Sequence, residues 1–183
     1  MDARTRIETF CSALEGVVAR RSWGETAYFV NPGRVLPHGV YFCTIKDKDG
    51  AHDRASALDR EGVFRVSIGV PTETYAALFG PRPARPGKGG VVATGHDHAA
   101  LDALAPHPVY AWMGWVQILA PSVASWERLR PLIVEAHGLA RLKFAARLRR
   151  MPHDRSTQRS GARPGERVPR RPGLPANGVA TPE

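Results

Sequence analysis

Four side chains of metal-binding type lie close together in the sequence: His96, Asp97 and His98 in a row, and His107 nine residues further on. Imidazole and carboxylate suit zinc, manganese or iron, and a hydrolytic centre needs three protein ligands plus an open position. Alternation along a strand turns His96 and His98 to one face, so a third ligand has to come from elsewhere, with His107 the candidate. The competing reading is a polar loop. In it Asp97 caps a helical turn at 99–104, and His107 bonds its own loop ahead of Pro108.

A second constellation is cationic. Arg82 and Arg85 precede Gly87-Lys88-Gly89-Gly90 in an irregular, proline-rich loop. A phosphate-binding P-loop is excluded, because Gly89 stands where Ser or Thr is required and a helix precedes the loop. Looser anion contact by Arg82, Arg85 and Lys88 competes with a plain solvated loop. The third constellation runs from Arg149 and Arg150 through Arg155, Arg159, Arg163 and Arg167 to Arg170 and Arg171. Such a run can neutralise phosphates and bind nucleic acid in a salt-sensitive way, although no aromatic is interleaved for base stacking. It has no apolar face with which to enter a membrane surface.

The remaining candidates are weaker. Asp47-Lys48-Asp49-Gly50 has its glycine too early for a calcium loop, and Leu58 stands where the bidentate Glu belongs, so it reads as a hairpin turn. There is no Gly-x-Ser-x-Gly elbow, and Cys11 and Cys43 sit in apolar surroundings that mark packing residues. Glu25, Asp59, Glu61 and Glu73 offer carboxylates with no spacing that pairs two of them. The aromatics Trp23, Tyr28, Tyr41, Trp112, Trp115 and Trp126 either line a pocket or fill a core.

The elements that must position these groups follow from periodicity. Ile7, Phe10, Cys11, Leu14 and Val18 form one stripe of a helix over about 2–19. Strands are predicted at 27–30 and 40–46. Phe64, Val66, Ile68 and Val70 alternate with Arg65, Ser67 and Gly69, the pattern of a half-buried strand. A short helix at 73–79 is capped by Thr72 and stopped by Gly80. Residues 91–94 suit a short strand, and 109–119, apolar on both faces, suit a central strand with Gly114 at a bulge. A last helix starts after Ser122 or Ser125, with a kink or late start at Pro131.

The 183 residues hold 26 Lys and Arg against 17 Asp and Glu, with 43% apolar residues, a globular balance. Residues 1–147 carry 18 basic and 14 acidic side chains, whereas 148–183 carry 8 Arg and only 3 acidic ones. That last segment holds too little apolar mass to offset its ordering entropy, so the reading is a folded domain at 1–148 and a disordered tail at 149–183. Two cysteines cannot build a disulfide framework. No apolar core opens the sequence, and the longest apolar stretch, 109–120, is too short for a membrane span of ~20 residues. A cytoplasmic protein is expected.

Trp23-Gly24 before the two early strands, the 63–70 strand leading into the 71–79 helix, and Gly114-Trp115-Val116 through Trp126-Glu127-Arg128-Leu129 to Lys143 resemble the MmcQ/YjbR-like domains. Leu58-Asp59-Arg60, Gly62-Val63-Phe64-Arg65, Leu78-Phe79-Gly80 and His107-Pro108-Val109-Tyr110-Ala111-Trp112-Met113 are more closely similar to an actinobacterial domain family of unknown function. The resemblance covers about 5–147. It implies an α+β fold, an antiparallel sheet flanked by an N-terminal and a C-terminal helix, and, through the wider family, a link to DNA binding. It supplies no catalytic residue. Where the wider family shows a Ser-Tyr pair, this chain has Ala136-His137-Gly138-Leu139.

The expectation is therefore a non-catalytic binding module without a cofactor, with nucleic acid as first partner through the tail and the 82–88 loop. The alternatives are a metal-dependent hydrolase at His96, Asp97, His98 and His107, and a protein-interaction domain.

Overall fold

The computed structural model describes residues 2–151; Met1 and residues 152–183, with Arg155, Arg159, Arg163, Arg167, Arg170 and Arg171, lie outside them. The elements are α1 (Ala3–Ala13), β1 (Val17–Ser22), β2 (Glu25–Val30), β3 (Val40–Lys46), β4 (Arg65–Gly69), α2 (Thr72–Phe79), β5 (Ala105–Pro106), β6 (Trp115–Leu119) and α3 (Val123–Arg149). The strands form one antiparallel sheet in the order β1-β2-β3-β4-β6-β5. This is the expected α+β class, with a helix at each end of the domain. No helix among the described residues is long and apolar enough to cross a membrane.

One face of the sheet is the core. Tyr28, Cys43, Ile45, Val66, Ile68, Val116 and Ile118 meet Ile7 and Cys11 of α1, and Leu129, Ile133, Ala136 and Ala140 of α3. Each fully buried large apolar side chain contributes roughly 1.5–3 kcal/mol to that packing. The Cys11 thiol hydrogen-bonds Cys43, and that contact, with burial, pushes the Cys43 thiol far above its ordinary value. Both cysteines are packing residues.

The helix α3 begins at Ser122, whose hydroxyl accepts the Ser125 amide at 3.1 Å, and runs unbroken through Pro131. Pro131 and Glu127, one turn before it, both lie on the exposed side, where the hydrogen bond that proline cannot donate costs least, and the helix needs no late start.

A bulge in β3 sets the orientation of everything on the other face. Tyr41 pairs with Phe29 and Cys43 with Tyr28, leaving Phe42 as the extra residue. Phe42 packs against His137 of α3, so Phe42 and Cys43 both point into the core, while Tyr41, Thr44 and Lys46 point outward.

Several expectations are corrected. Residues 91–94 form no strand and 99–104 no helical turn, and Pro71, not Thr72, holds the cap position of α2, with Thr72 its first residue. The first helix stops at Ala13, and Val18 belongs to β1, paired with Phe29. The helical stripe continues into a strand because Leu14 turns extended and Gly16 takes a φ of +70°. The segment after β3 is no hairpin turn: 47–64 is a long excursion, folded by Asp49 accepting the Leu58 amide and Asp59 accepting the Asp49 amide. The strand β4 is buried on both faces, Arg65 and Ser67 included, because that excursion and the 81–114 loop cover it. Only 115–119 of the predicted central strand is strand. Ahead of it, Trp112 Nε1 donates to the Val109 carbonyl at 3.1 Å, and Gly114 at φ +82° closes a short 3-10 turn.

The β1–β2 hairpin turns on Trp23 and Gly24, both at positive φ (53° and 74°), as a type I′ turn requires. Trp23 is 92% exposed. Trp23→Asn is expected to raise stability by about 1 kcal/mol, since Asn tolerates this region better. Urea denaturation reads it, and a lower midpoint would contradict it.

Candidate ligand-binding cavity on the outer face of the sheet

The outer face carries a second layer, polar instead of apolar. Arg65, 2% exposed, donates from Nη1 to Asp53 Oδ1 at 2.8 Å and to Ser56 Oγ at 3.0 Å, and from Nη2 to Asp53 Oδ2. Lys46 Nζ reaches the same Asp53 Oδ2 at 2.7 Å. Ser56 Oγ donates to Gln117 Oε1, and Gln117 Nε2 donates to the His98 carbonyl, both at 2.9 Å. This chain ties the 47–64 excursion to β4, β6 and the 81–114 loop. Arg60 adds a second tie through the Ala99 carbonyl.

Beside this layer opens a cavity of about 830 Å³, within the range of roughly 300–1,000 Å³ in which small ligands bind. Its floor is Glu25 of β2, Thr44 and Lys46 of β3, Arg65 of β4 and Trp115 of β6. The indole of Trp115 crosses Gly69, where a Cβ would stand 3.1 Å from Cε2. One wall is 50–53, and the other comes from 85–90 and 107–113.

The electrostatics of the floor are specific. Burial opposes the Asp53 carboxylate, but the hydrogen bonds and charge of Arg65, then of Lys46, outweigh it and hold its pKa well below the usual range. Glu25, opposite Lys46 in the sheet, is raised by burial, with Lys46 and Arg65 acting against the rise. His107 is 2% exposed, and its Nδ1 accepts the Val109 and Tyr110 amides at 3.1 and 3.2 Å. Burial, then the charge of Arg65, pushes its pKa well below the ordinary value. The ring is therefore neutral at physiological pH, with its proton on Nε2 as a donor.

At the mouth, Arg85 Cζ sits 4.8 Å above the Trp112 ring, a cation–π contact that orients the guanidinium. Lys88 stands on the turn closed by the Gly90 amide on the Gly87 carbonyl. Among the described residues, neither Arg85 nor Lys88 pairs with a carboxylate.

Of the predicted anion contacts, Arg85 and Lys88 line the cavity and Arg82 does not; its guanidinium lies against Gly114. Arg149 and Arg150 end α3 away from the lining, and Arg170 and Arg171 lie outside the described residues. The proposed metal ligands are not brought together. His96 Nδ1 lies 2.9 Å from the Thr94 carbonyl, Asp97 Oδ1 accepts the Ala99 amide at 2.9 Å, and His98 is buried. His107 faces the cavity with its Nδ1 already taken by the Val109 and Tyr110 amides. Among the described residues no three His, Cys, Asp or Glu side chains are arranged to hold a metal ion.

Of the six aromatics, Tyr41, Trp112 and Trp115 line the cavity, Tyr28 and Trp126 fill the core, and Trp23 tips the first hairpin. Sequence reasoning missed Lys46, Asp53 and Arg65 altogether. A lone arginine inside the apolar run Phe64–Val70 was the available signal, because a buried arginine demands a carboxylate partner.

Fold and cavity define a class: a small α+β domain whose sheet is backed by helices on one face and, on the other, carries a basic, aromatic-lined cavity under two loops. The chain belongs to the family of unknown function DUF6194, whose model matches residues 1–149. No curated protein and no solved structure matches it.

Proposed function

We propose that the domain is a non-catalytic binding module that takes a small anionic molecule into this cavity. The observation that carries the reading is the charge of the lining. Lys46, Arg65, Arg85 and Lys88 face only Glu25 and Asp53, and Asp53 is consumed by Arg65 and Lys46. Arg85, held against Trp112, offers a planar fork suited to phosphate or carboxylate.

Titration of the full-length protein with tripolyphosphate and citrate, followed by tryptophan fluorescence, tests the reading. Saturable binding is expected, weakened about tenfold or more by Arg85→Ala, the size of one lost charge-assisted contact. Equal affinities in the two proteins, or no binding by either, would remove the cavity from consideration.

A second reading keeps nucleic acid as the partner, reached through Arg85, Lys88 and the arginines at 149–171. It is supported by the excess of five positive charges in residues 148–183 and by the resemblance to MmcQ/YjbR-like domains. Mixed-sequence DNA and RNA at two salt concentrations separate the two. Binding that salt abolishes and Arg85→Ala leaves unchanged belongs to the second reading. A cytoplasmic location fits both.

A further inference from the structure

We infer that the cavity takes a molecule of mononucleotide chemistry, a hydrogen-bonding heterocycle that carries a phosphate, with the ring inward and the phosphate at the mouth. The inference rests on the cavity reading above and follows from how the lining changes with depth.

The deep end is mixed in character. Lys46, with one of its three N–H groups on Asp53, is a donor and its cross-strand neighbour Glu25 an acceptor, while the Nε2–H of the neutral His107 adds a donor elsewhere on the lining. A simple anion needs donors only, and a hydrocarbon needs neither. The edge of a nucleobase presents both kinds of group side by side, and it is matched by a floor that does the same. Aromatic rings join the lining: Tyr41 on β3, Trp115 on the floor across Gly69, and Tyr110 in the wall, its ring centre 5.0 Å from that of His107. Such rings stack on any base.

The mouth is cationic. Arg85 and Lys88 are exposed, whereas Arg65 and His107 are 2% exposed, so the unpaired positive charge lies at the outer end. That order, mixed polar floor, aromatic lining and cationic rim, is the order of base and phosphate in a nucleotide. The sheet floors this cleft at its inner end, which suits one base held at depth.

Isothermal titration of the full-length protein tests this with the four common 5′-mononucleotides, their nucleosides, and ribose 5-phosphate. At least one mononucleotide is expected to bind about tenfold or more tightly than both its nucleoside and ribose 5-phosphate. Arg85→Ala should abolish the advantage over the nucleoside. Glu25→Gln, nearly isosteric, should reorder the bases while preserving the advantage that the phosphate confers. Ribose 5-phosphate binding as tightly as every nucleotide would overturn the inference and leave the anion reading standing. No binding by any of them, together with none by tripolyphosphate, would remove both. A mixed-sequence oligonucleotide binding more than tenfold tighter than any mononucleotide, in Arg85→Ala as well, would overturn it in favour of nucleic acid.

Discussion

Asp53→Ala is expected to destabilise the domain by about 3–5 kcal/mol, the cost of leaving one charge of a buried pair without its partner. Arg65 is enclosed between the sheet and the 47–64 excursion, and both of its Nη atoms are spent on Asp53 and Ser56. Without Asp53, a buried guanidinium keeps only a neutral hydroxyl, and Lys46 stands close by with the same sign of charge. Adding Arg65→Met to Asp53→Ala should recover part of the loss, because the buried charge is then gone as well. The pH dependence has a fixed sign. A carboxyl whose pKa is lowered on folding stabilises the protein fully above its unfolded value of about 3.9, and that stabilisation drains away as pH falls towards the lowered folded value. Urea denaturation should therefore show a constant gap between wild type and Asp53→Ala down to about pH 4 and a narrowing gap from there to about pH 2. Curves that stay parallel, or a loss under 1 kcal/mol at neutral pH, would mean that Arg65 is satisfied some other way.

Gly39→Ala is expected to cost about 2–4 kcal/mol, from strained backbone and overpacking together. Gly39 has a φ of +52°, and a Cβ there would stand 2.5 Å from Phe29 Cδ2 and 3.1 Å from the Val30 carbonyl oxygen. The carbonyl belongs to β2 and cannot retreat. The Phe29 ring packs against Tyr41, whose ring centre is 5.2 Å away and which lines the cavity. The substitution should therefore also perturb ligand binding. Gly62→Ala is the control: its φ is +71° but nothing lies within 4 Å, so only the backbone cost of roughly 1–2 kcal/mol remains. Equal losses at the two positions, measured by urea denaturation, would show that the clash with Phe29 is relieved without effect.

Local signals were legible where one short segment carries the whole message. The strand Val40–Lys46 has the predicted bounds, α2 ends at Gly80, and α3 starts at Ser122, one of its two candidate caps. Period failed where two elements share it. Leu14 and Val18 continue the stripe of α1 at helical spacing, yet a left-handed Gly16 separates helix from strand. Burial failed on β4, because alternation reports which face is polar and says nothing of what covers it. Arg65 and Ser67 are covered by the 47–64 excursion and the 81–114 segment, and nothing in the sequence of β4 points to either. The site was the least legible part. Arg85, Lys88 and three of the aromatics were singled out by type, and His107 as a metal ligand, whereas the structure places it in the cavity lining with no cluster of three such ligands among the described residues. Lys46, Asp53 and Arg65 come from a strand, a loop and another strand, and only the three-dimensional closure of 47–64 over β4 makes them neighbours.

The extra residue in β3 has a consequence for which length changes the chain can tolerate. Upstream of Phe42 the strand alternates in one phase, and downstream in the other, so the bulge acts like a frameshift between two reading frames. Delete one residue there and Ile45 would face the cavity while Lys46 would be driven under α1 and α3. Any single-residue insertion or deletion between Tyr41 and Lys46 thus exchanges the core and the binding face at one stroke. Additions at the Gly87–Gly90 turn would change only the rim. Members of the family can be expected to vary in length at the loop and to keep the count in β3 fixed.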